Sequence, residues 1–527
     1  MVEATRVMEI LQAMIRIDSE TNTSKERKME QFLQQFFQKT KGVTSGLIHV
    51  PDDPCRRSVV YGLLRGETGH TVIFMNHHDV VDTESYGKLR DLAFAPQELQ
   101  QALAGEKMRD DVRQDLESGE WLFGRGSCDM KGGAAAQLAV FEDYAEKVGK
   151  ASLLYLSLPD EETYSAGMRA AIGLLDELRT SYDLTYDVLI DSEPNHKEKG
   201  RLVAYTGSVG KIQPVVLVQG KPVHIGHYTQ GLNPVGVLAR LIAATEGKQE
   251  FTDSCGTEVT PPPAWVYLRD RKERYDVTLP QRAAAALNLL TYDKTPDDVM
   301  YFLLEETRCA VSDMLQTMQS GLDVPVLSAA ELLQQASSYE GFDVFYEAAK
   351  QASFVALQDG RSTYAEETLS LIEKTLDFMD LKQPLAVVAF APPYYPAADS
   401  LSFPTPAFQG LLQHIQTLTD VRFERYFNGV SDCSYCCVDP AFDDKMVEKN
   451  LLLWGKAYPF DLENLKKLQI PFLLLGPWGK DLHEGTERVN IASVSRDLPR
   501  ILEAVLAYVG RENFEKYSKQ RLDNKKA

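Results

Sequence analysis

Long hydrophobic runs are absent from this chain. No window approaches the roughly 18 uninterrupted apolar residues of a membrane-spanning helix, so a membrane partner is not expected. The opening stretch "MVEATRVMEILQAMIRIDSETNTSKERKMEQFLQQFFQKT" has no signal-peptide layout. Cysteine is scarce and odd in number: Cys55, Cys128, Cys255, Cys309, Cys433, Cys436 and Cys437. Scattered thiols without an export signal disfavour a disulfide framework and fit a reducing, cytoplasmic setting. "SDCSYCC" has a C-x-x-C but no second pair to complete a zinc ribbon, so its thiols are expected as core filler. Basic residues are outnumbered, 56 against 76 acidic, for a formal net charge of −20. With no Lys/Arg-rich run, that field repels phosphate backbones and excludes nucleic acid as a partner. Repeats and low-complexity tracts are also missing.

What is present is an ordinary globular composition, 44% hydrophobic and 25% charged, in 527 residues, too many for a single core. From 1 to about 206, helical spacing alternates with apolar strands: "SVVYGLLRG", "HTVIFMNHH", "SLLYLSL" and "YDVLIDSEP". Such alternation predicts an α/β domain with a central mixed sheet flanked by helices. Around 207 the order becomes strand, helix, strand, strand, helix, strand, closing with "QPLAVVAFAPPYYP". That order is a split βαβ, ferredoxin-like α+β domain. "AWVYLRDRKERYDVTL" and the alanine-rich "AAAALNLLTYD" are its middle strands, the second ambiguous with helix. The span exceeds such a unit, and the surplus, about 325–383, is expected as a helical insertion. The domains are therefore expected at 1–206 with 397–527, discontinuous, and at 207–396.

Polar residues gather where apolar strands end. "ASLLYLSLPDEETYS" runs a buried strand into Asp160, Glu161 and Glu162, which alone would suggest a solvated turn. "TVIFMNHHDVV" ends in His77, His78 and Asp79. In extended backbone His77 and Asp79 share a face while His78 points away. H-x-D lets a carboxylate hold a metal-binding imidazole, and His78 is expected to be structural. "YDVLIDSEP" ends in Asp191 and Glu193, and "IPFLLLGPWGKDLHEGTE" leads to His483 and Glu484. The glycine-rich "LFGRGSCDMKGGAAAQLAV" carries Asp129 but lacks the G-K-[ST] of a phosphate loop. Four strand ends with N and O donors, plus a loop Asp, suit a divalent metal site at the carboxyl edge of a sheet.

The ordered set "HHDVV", "GRGSCDMKGG", "PDEE", "SEP" and "LHEGTE" resembles the M20 family of dinuclear zinc peptidases and aminoacylases, across nearly the whole chain. "GKPVHIGHYTQGLNP" is similar to the family's lid motif, and "FAPPYYP" with "SDCSY" is most similar to bacterial arginine-utilisation proteins. The resemblance implies two divalent ions, zinc first, with cobalt or manganese as alternatives. It implies His77 on one metal, oriented by Asp79, with Asp129 bridging both. Glu162 and Glu193 would add one carboxylate to each ion, and His483 would complete the second. Glu161 would be the general base, His224 the oxyanion donor in its own or a partner chain, and Asn233 a substrate-binding residue. The implied reaction is hydrolysis of an amide bond in a short peptide or N-acyl amino acid, with a homodimer through the lid domain among the expectations. His78 in place of a small residue, "SEP" for Gly-Glu-Pro, and the insertion depart from the pattern.

Two other readings compete. One is a non-catalytic metal-binding or regulatory protein that keeps the fold. The other is a metal-free enzyme using Cys128, whose thiol would be raised by Asp129 beside it. Arg269, Arg271, Arg274 and Arg282 are expected mostly as solvated charges, one of them able to clamp a substrate carboxylate.

Overall fold

A computed structural model of the chain describes residues 2–147, 149–402, 405–439, 442 and 445–511. Two units account for it: Met1–Ser208, Ala398–Asp439 and Asp461–Ala527 form one, and Val209–Ala397 with Pro440–Phe460 the other. The sequence assigned all of 397–527 to the first unit, so the second excursion is a correction. Its cause is apolar: Leu451, Leu452, Leu453 and Tyr458 are buried in the second unit's core.

The first unit is built on a ten-stranded mixed sheet. Ser152–Leu158, His70–His77, Thr185–Asp191 and Phe472–Leu474 are adjacent in that order and mutually parallel. Antiparallel Ser58–Leu64 and Thr44–His49 extend the sheet beyond Ser152–Leu158. Ser152–Leu158 is buried at every position, as a central parallel strand covered on both faces must be. Alternate residues Val72, Phe74, Leu153, Tyr155, Val188 and Ile190 point to one face. There they share a core with helices Ala4–Ile15, Arg27–Lys39, Lys131–Glu146 and Leu498–Val509. Small residues at the start of Lys131–Glu146, from Gly132 to Ala136, let that helix lie close to the sheet.

The second unit carries a five-stranded sheet in the order Ala264–Asp270, Arg282–Thr291, Gly210–Gln219, Leu385–Tyr395, Val326–Ser328. All neighbours are antiparallel except the last pair. The ambiguous alanine-rich segment is a strand, its Ala283–Ala286 buried in that core. The segment expected as one strand over 264–279 is extended only to Asp270. The inserted region holds helices Ala329–Ala336, Phe342–Gln358 and Tyr364–Phe378, preceded by the short strand Val326–Ser328. Arg271 pairs with Glu366 at 2.5 Å and Glu373 at 2.9 Å, and Arg282 with Asp377 at 2.6 Å. Those two arginines fasten the insertion to the sheet, while Arg269 and Arg274 are exposed. No helix among the described residues is long and apolar enough to cross a membrane.

Candidate active site

The four parallel strands deliver their carboxyl ends to one edge. His77 closes its strand opposite Leu158. Pro159 follows, and Asp160 turns the chain with φ +69°. The Asp160 carboxylate is fully occupied by structure. It accepts from Arg57 at 2.7 Å, from the Thr163 hydroxyl at 2.5 Å and from the Ala166 N–H at 3.1 Å, at the start of helix Ala166–Tyr182. Of the three consecutive acids, the first is thus a buried turn-former. The next two are placed by Asp79, whose Oδ1 accepts the Glu161 N–H at 3.3 Å and whose Oδ2 accepts the Glu162 N–H at 3.2 Å.

Asp129 sits on a loop held by Glu487, whose Oε1 accepts the N–H groups of Cys128 at 3.2 Å and Asp129 at 3.3 Å. Glu487 also pairs with Arg125 at 2.6 Å, and Arg125 donates to the His483 carbonyl at 3.1 Å. One buried ion pair therefore fixes the loops of Asp129 and His483 together. His483 itself has φ +64°, a left-handed conformation unusual for a side chain with a Cβ. Glu193 follows the strand whose end is clasped by Gln137. The Gln137 amide nitrogen lies 3.0 Å from the carbonyls of both Met75 and Ile190 and 2.8 Å from Ser192 Oγ.

These supports bring His77, Asp79, Asp129, Glu161, Glu162, Glu193 and His483 together. Asp129 spans the two histidines, Oδ1 lying 3.0 Å from His77 Nε2 and Oδ2 3.0 Å from His483 Nε2. Each histidine faces a second carboxylate: Glu193 is 3.4 Å from His77 Nε2 and Glu162 is 3.1 Å from His483 Nε2. Ligand atoms of His77, Asp129 and Glu162 lie within 4.8 Å of one another, as do those of His77, Glu161 and Glu193. Glu161, expected only as a base, thus lies among the ligand-type atoms. His77 Nδ1 donates to the Asp79 carbonyl at 3.0 Å, with the Asp79 carboxylate at 3.5 Å.

The donor set fits divalent cations. With its proton on Nδ1, a neutral His77 turns a bare Nε2 lone pair toward two carboxylate oxygens, an acceptor-to-acceptor contact that calls for a cation between them. Glu162 Oε1 is buried without a hydrogen-bond partner among the described residues. In the protein alone, protons must serve instead. Burial opposes charge on His77, but Glu193, Asp129 and Asp79 overcome it and hold the ring well above the usual histidine range. Bonds to Asp129 and Glu162 push His483 up to about 10. Burial, then the Asp129 charge, raises Glu162 to about 7 and Glu193 to about 8. Burial lifts Glu161 well above the carboxylate range against the pull of His77. Such displaced acids and bases in one cluster mark a functional site.

The remaining expected residues lie elsewhere. His78 is fully buried, its Nδ1 3.1 Å from Ser157 Oγ. On the second unit, His224 is exposed and its Nδ1 accepts the Gly226 N–H at 3.1 Å. A neutral His224 then carries its proton on Nε2. Asn233 Oδ1 accepts the Val235 N–H at 3.1 Å and caps helix Pro234–Thr245. Burial, then Glu487 and Asp129, drives the Cys128 thiol well above its usual range, which disfavours the thiolate that a nucleophile needs.

Sequence reasoning did not assign Gln137, Glu487 or Asp432. Asp432 lies in the quoted "SDCSY" beside the thiols. It is 2% exposed, and burial raises it to about 7. Its signal was an acid inside a motif noticed for its cysteines.

A family model, Peptidase family M20/M25/M40, matches residues 73–431. The chain is 27% identical to "Uncharacterized protein YqjN" of Bacillus subtilis (strain 168), covering 95% of this chain and 96% of that one. It is 26% identical to "Protein RocB" of the same organism, over 87% of this chain and 86% of the other. A tripeptidase structure from Staphylococcus aureus subsp. aureus mu50 superposes with a TM-score of 0.54 at 13% identity, covering 97% of this chain and 100% of that one. That likeness carries the fold alone, and the family model carries membership. The chain belongs to peptidase family M20/M25/M40 and is a hydrolase of that family.

Proposed function

We propose that this protein is a dinuclear metal-dependent hydrolase, of dipeptidase or aminoacylase type, that cleaves an amide bond in a short peptide or N-acyl amino acid. One observation carries the reading: Asp129 spans His77 and His483 on its two oxygens, and each histidine faces a further carboxylate. His77 and Glu193 would hold one divalent ion, His483 and Glu162 the other, and Asp129 both. Nitrogen and oxygen donors of this kind suit zinc first, with cobalt or manganese as alternatives. Two such ions, when bound, make a water acidic and polarise a carbonyl.

The chain's own groups do the rest. Glu161, fixed through its backbone N–H by Asp79, takes the proton of the attacking water on its carboxylate. It then passes that proton to the leaving amine, a step typically worth about 10²–10⁴ in rate. His224, with its proton on Nε2, is the donor for the developing oxyanion, from its own chain or from a homodimer partner joined through the second unit. Asn233 is proposed to help hold substrate, and the setting is proposed to be cytoplasmic.

Elemental analysis of the parent and of His483→Ala, with hydrolysis of dipeptides and N-acyl amino acids by the parent and Glu161→Gln, tests this. About two ions in the parent, one or fewer in His483→Ala, and loss of turnover in Glu161→Gln are expected. Metal bound with no turnover across the panel would point to a binding or regulatory protein instead. No metal after incubation with zinc, cobalt or manganese would end the reading.

A further inference from the structure

Asp432 is a buried acid beside the cluster that stands outside both metal-type groups. It opens the turn Asp432–Tyr435, which is held from two sides. Ser208 Oγ lies 3.0 Å from the hydroxyls of both Ser431 and Ser434, and the Cys433 thiol donates to Asp191 at 3.2 Å. The turn is thus anchored to the ends of two sheet strands, and Asp432 is presented in a fixed place. Its charge is felt by Glu161, and it lies within electrostatic reach of His77, Asp79 and Glu193. Yet both Asp432 oxygens are buried with no hydrogen-bond partner among the described residues. The one group that favours its charged form most is the Ser165 side chain beside it.

An unpaired carboxylate in such surroundings is costly unless a partner completes it. The two groups of ligand-type atoms, His77 with Asp129 and Glu162, and His77 with Glu161 and Glu193, both leave Asp432 out. Metal ions held by those groups would offset the ligands and leave this charge unanswered. A substrate carboxylate placed beside Asp432 would meet its charge with Glu161 and Glu193 within electrostatic reach, which disfavours an acidic group there. A protonated nitrogen is what fits, both by sign and by its capacity to donate to two acceptors.

We propose that Asp432 receives a cationic nitrogen of the substrate, so that the enzyme selects amides carrying a protonated amine near the scissile bond over neutral N-acyl compounds. This inference rests on the hydrolase reading and narrows its substrate class. The nitrogen could belong to a free N-terminus or to a basic side chain, and the probes separate the two.

The test is calorimetric binding to the metal-loaded Glu161→Gln protein, in which chemistry is stopped, with and without Asp432→Asn. The probes are Leu-Gly, Nα-acetyl-Lys-Gly and neutral Nα-acetyl-Leu-Gly. One cationic probe is expected to bind best: Leu-Gly for an N-terminal amine, Nα-acetyl-Lys-Gly for a side chain. Asp432→Asn should weaken that probe about ten- to hundredfold, the loss of a charged hydrogen bond, and leave the neutral probe unchanged. Two bound metals should remain in both proteins. Equal binding of the neutral probe, no measurable binding of any probe, uniform weakening by Asp432→Asn, or loss of a metal would each overturn the inference. Failure of the hydrolase reading looks different: the parent, metal-loaded, turns over nothing while the binding comparison still decides the role of Asp432.

Discussion

The Asp79 carboxylate is turned toward the backbone of Glu161, accepting its N–H at 3.3 Å on one oxygen while the other takes the Glu162 N–H at 3.2 Å. His77 receives its closest support from the Asp79 carbonyl instead. A single residue thus sets the imidazole with its main chain and the two following acids with its side chain. Asp79→Asn keeps the carbonyl but leaves only one oxygen acceptor for two N–H groups. Metal affinity is expected to fall about 10–100-fold, the usual cost of losing a supporting contact behind the ligands. Chelator competition against the parent reads it, and circular dichroism shows that the fold survives. Unchanged affinity would mean the two N–H groups need no such anchor.

The close approach of helix Lys131–Glu146 to the strand ends depends on Gly133. A Cβ built there would lie 2.1 Å from the Ser192 carbonyl oxygen and 2.7 Å from Ser192 Cβ. Backbone at that distance must shift, and the displaced segment is the one that carries Glu193. Gly133→Ala is expected to lower stability by about 1–3 kcal/mol through overpacking and to weaken metal binding in the same variant. Gly173→Ala is the control, because nothing lies within 4 Å of a Cβ there. Equal melting temperatures for the two variants would refute the tight contact.

The edge where the site lies was legible because parallel strands betray themselves. "SLLYLSL" is apolar at nearly every position, as a strand buried on both faces must be, and the polar residues that follow it stand out. Alternation of helix and strand likewise gave the α/β class of the first unit. The return of 440–460 to the second unit was not legible, since "NLLLWGKAYPF" is apolar enough for either core and only packing decides between them. Nor could spacing distinguish Asp160 from Glu161 and Glu162. Arg57, which occupies Asp160, comes from the loop just before strand Ser58–Leu64, about a hundred positions earlier, and pairings of that range leave no local pattern. The Arg125–Glu487 pair that joins the Asp129 and His483 loops spans still more sequence. Asp432 was hidden for a different reason: its role depends on what does not touch it.

His78 ties stability to pH. Burial is the main force that lowers it, to about 3 from its ordinary 6.5, against the opposing charge of Asp79. The folded protein therefore keeps this ring neutral, its Nδ1 beside the Ser157 hydroxyl, while the unfolded chain protonates it below about 6.5. Between those values the unfolded state binds more protons, so stability rises with pH and is lost as pH falls from 6.5. The contribution from this residue amounts to at most about 2 kcal/mol between pH 6.5 and 5, taking 1.36 kcal/mol per pH unit. His78→Gln, with a neutral side chain of similar reach, removes the titration. In metal-free protein the parent should lose stability more steeply than His78→Gln over that interval, by urea unfolding at fixed ionic strength, and the two curves should run parallel above pH 7. Parallel curves throughout would mean that His78 is protonated in the folded state, and that the acid sensitivity of the fold belongs to the carboxylates around it.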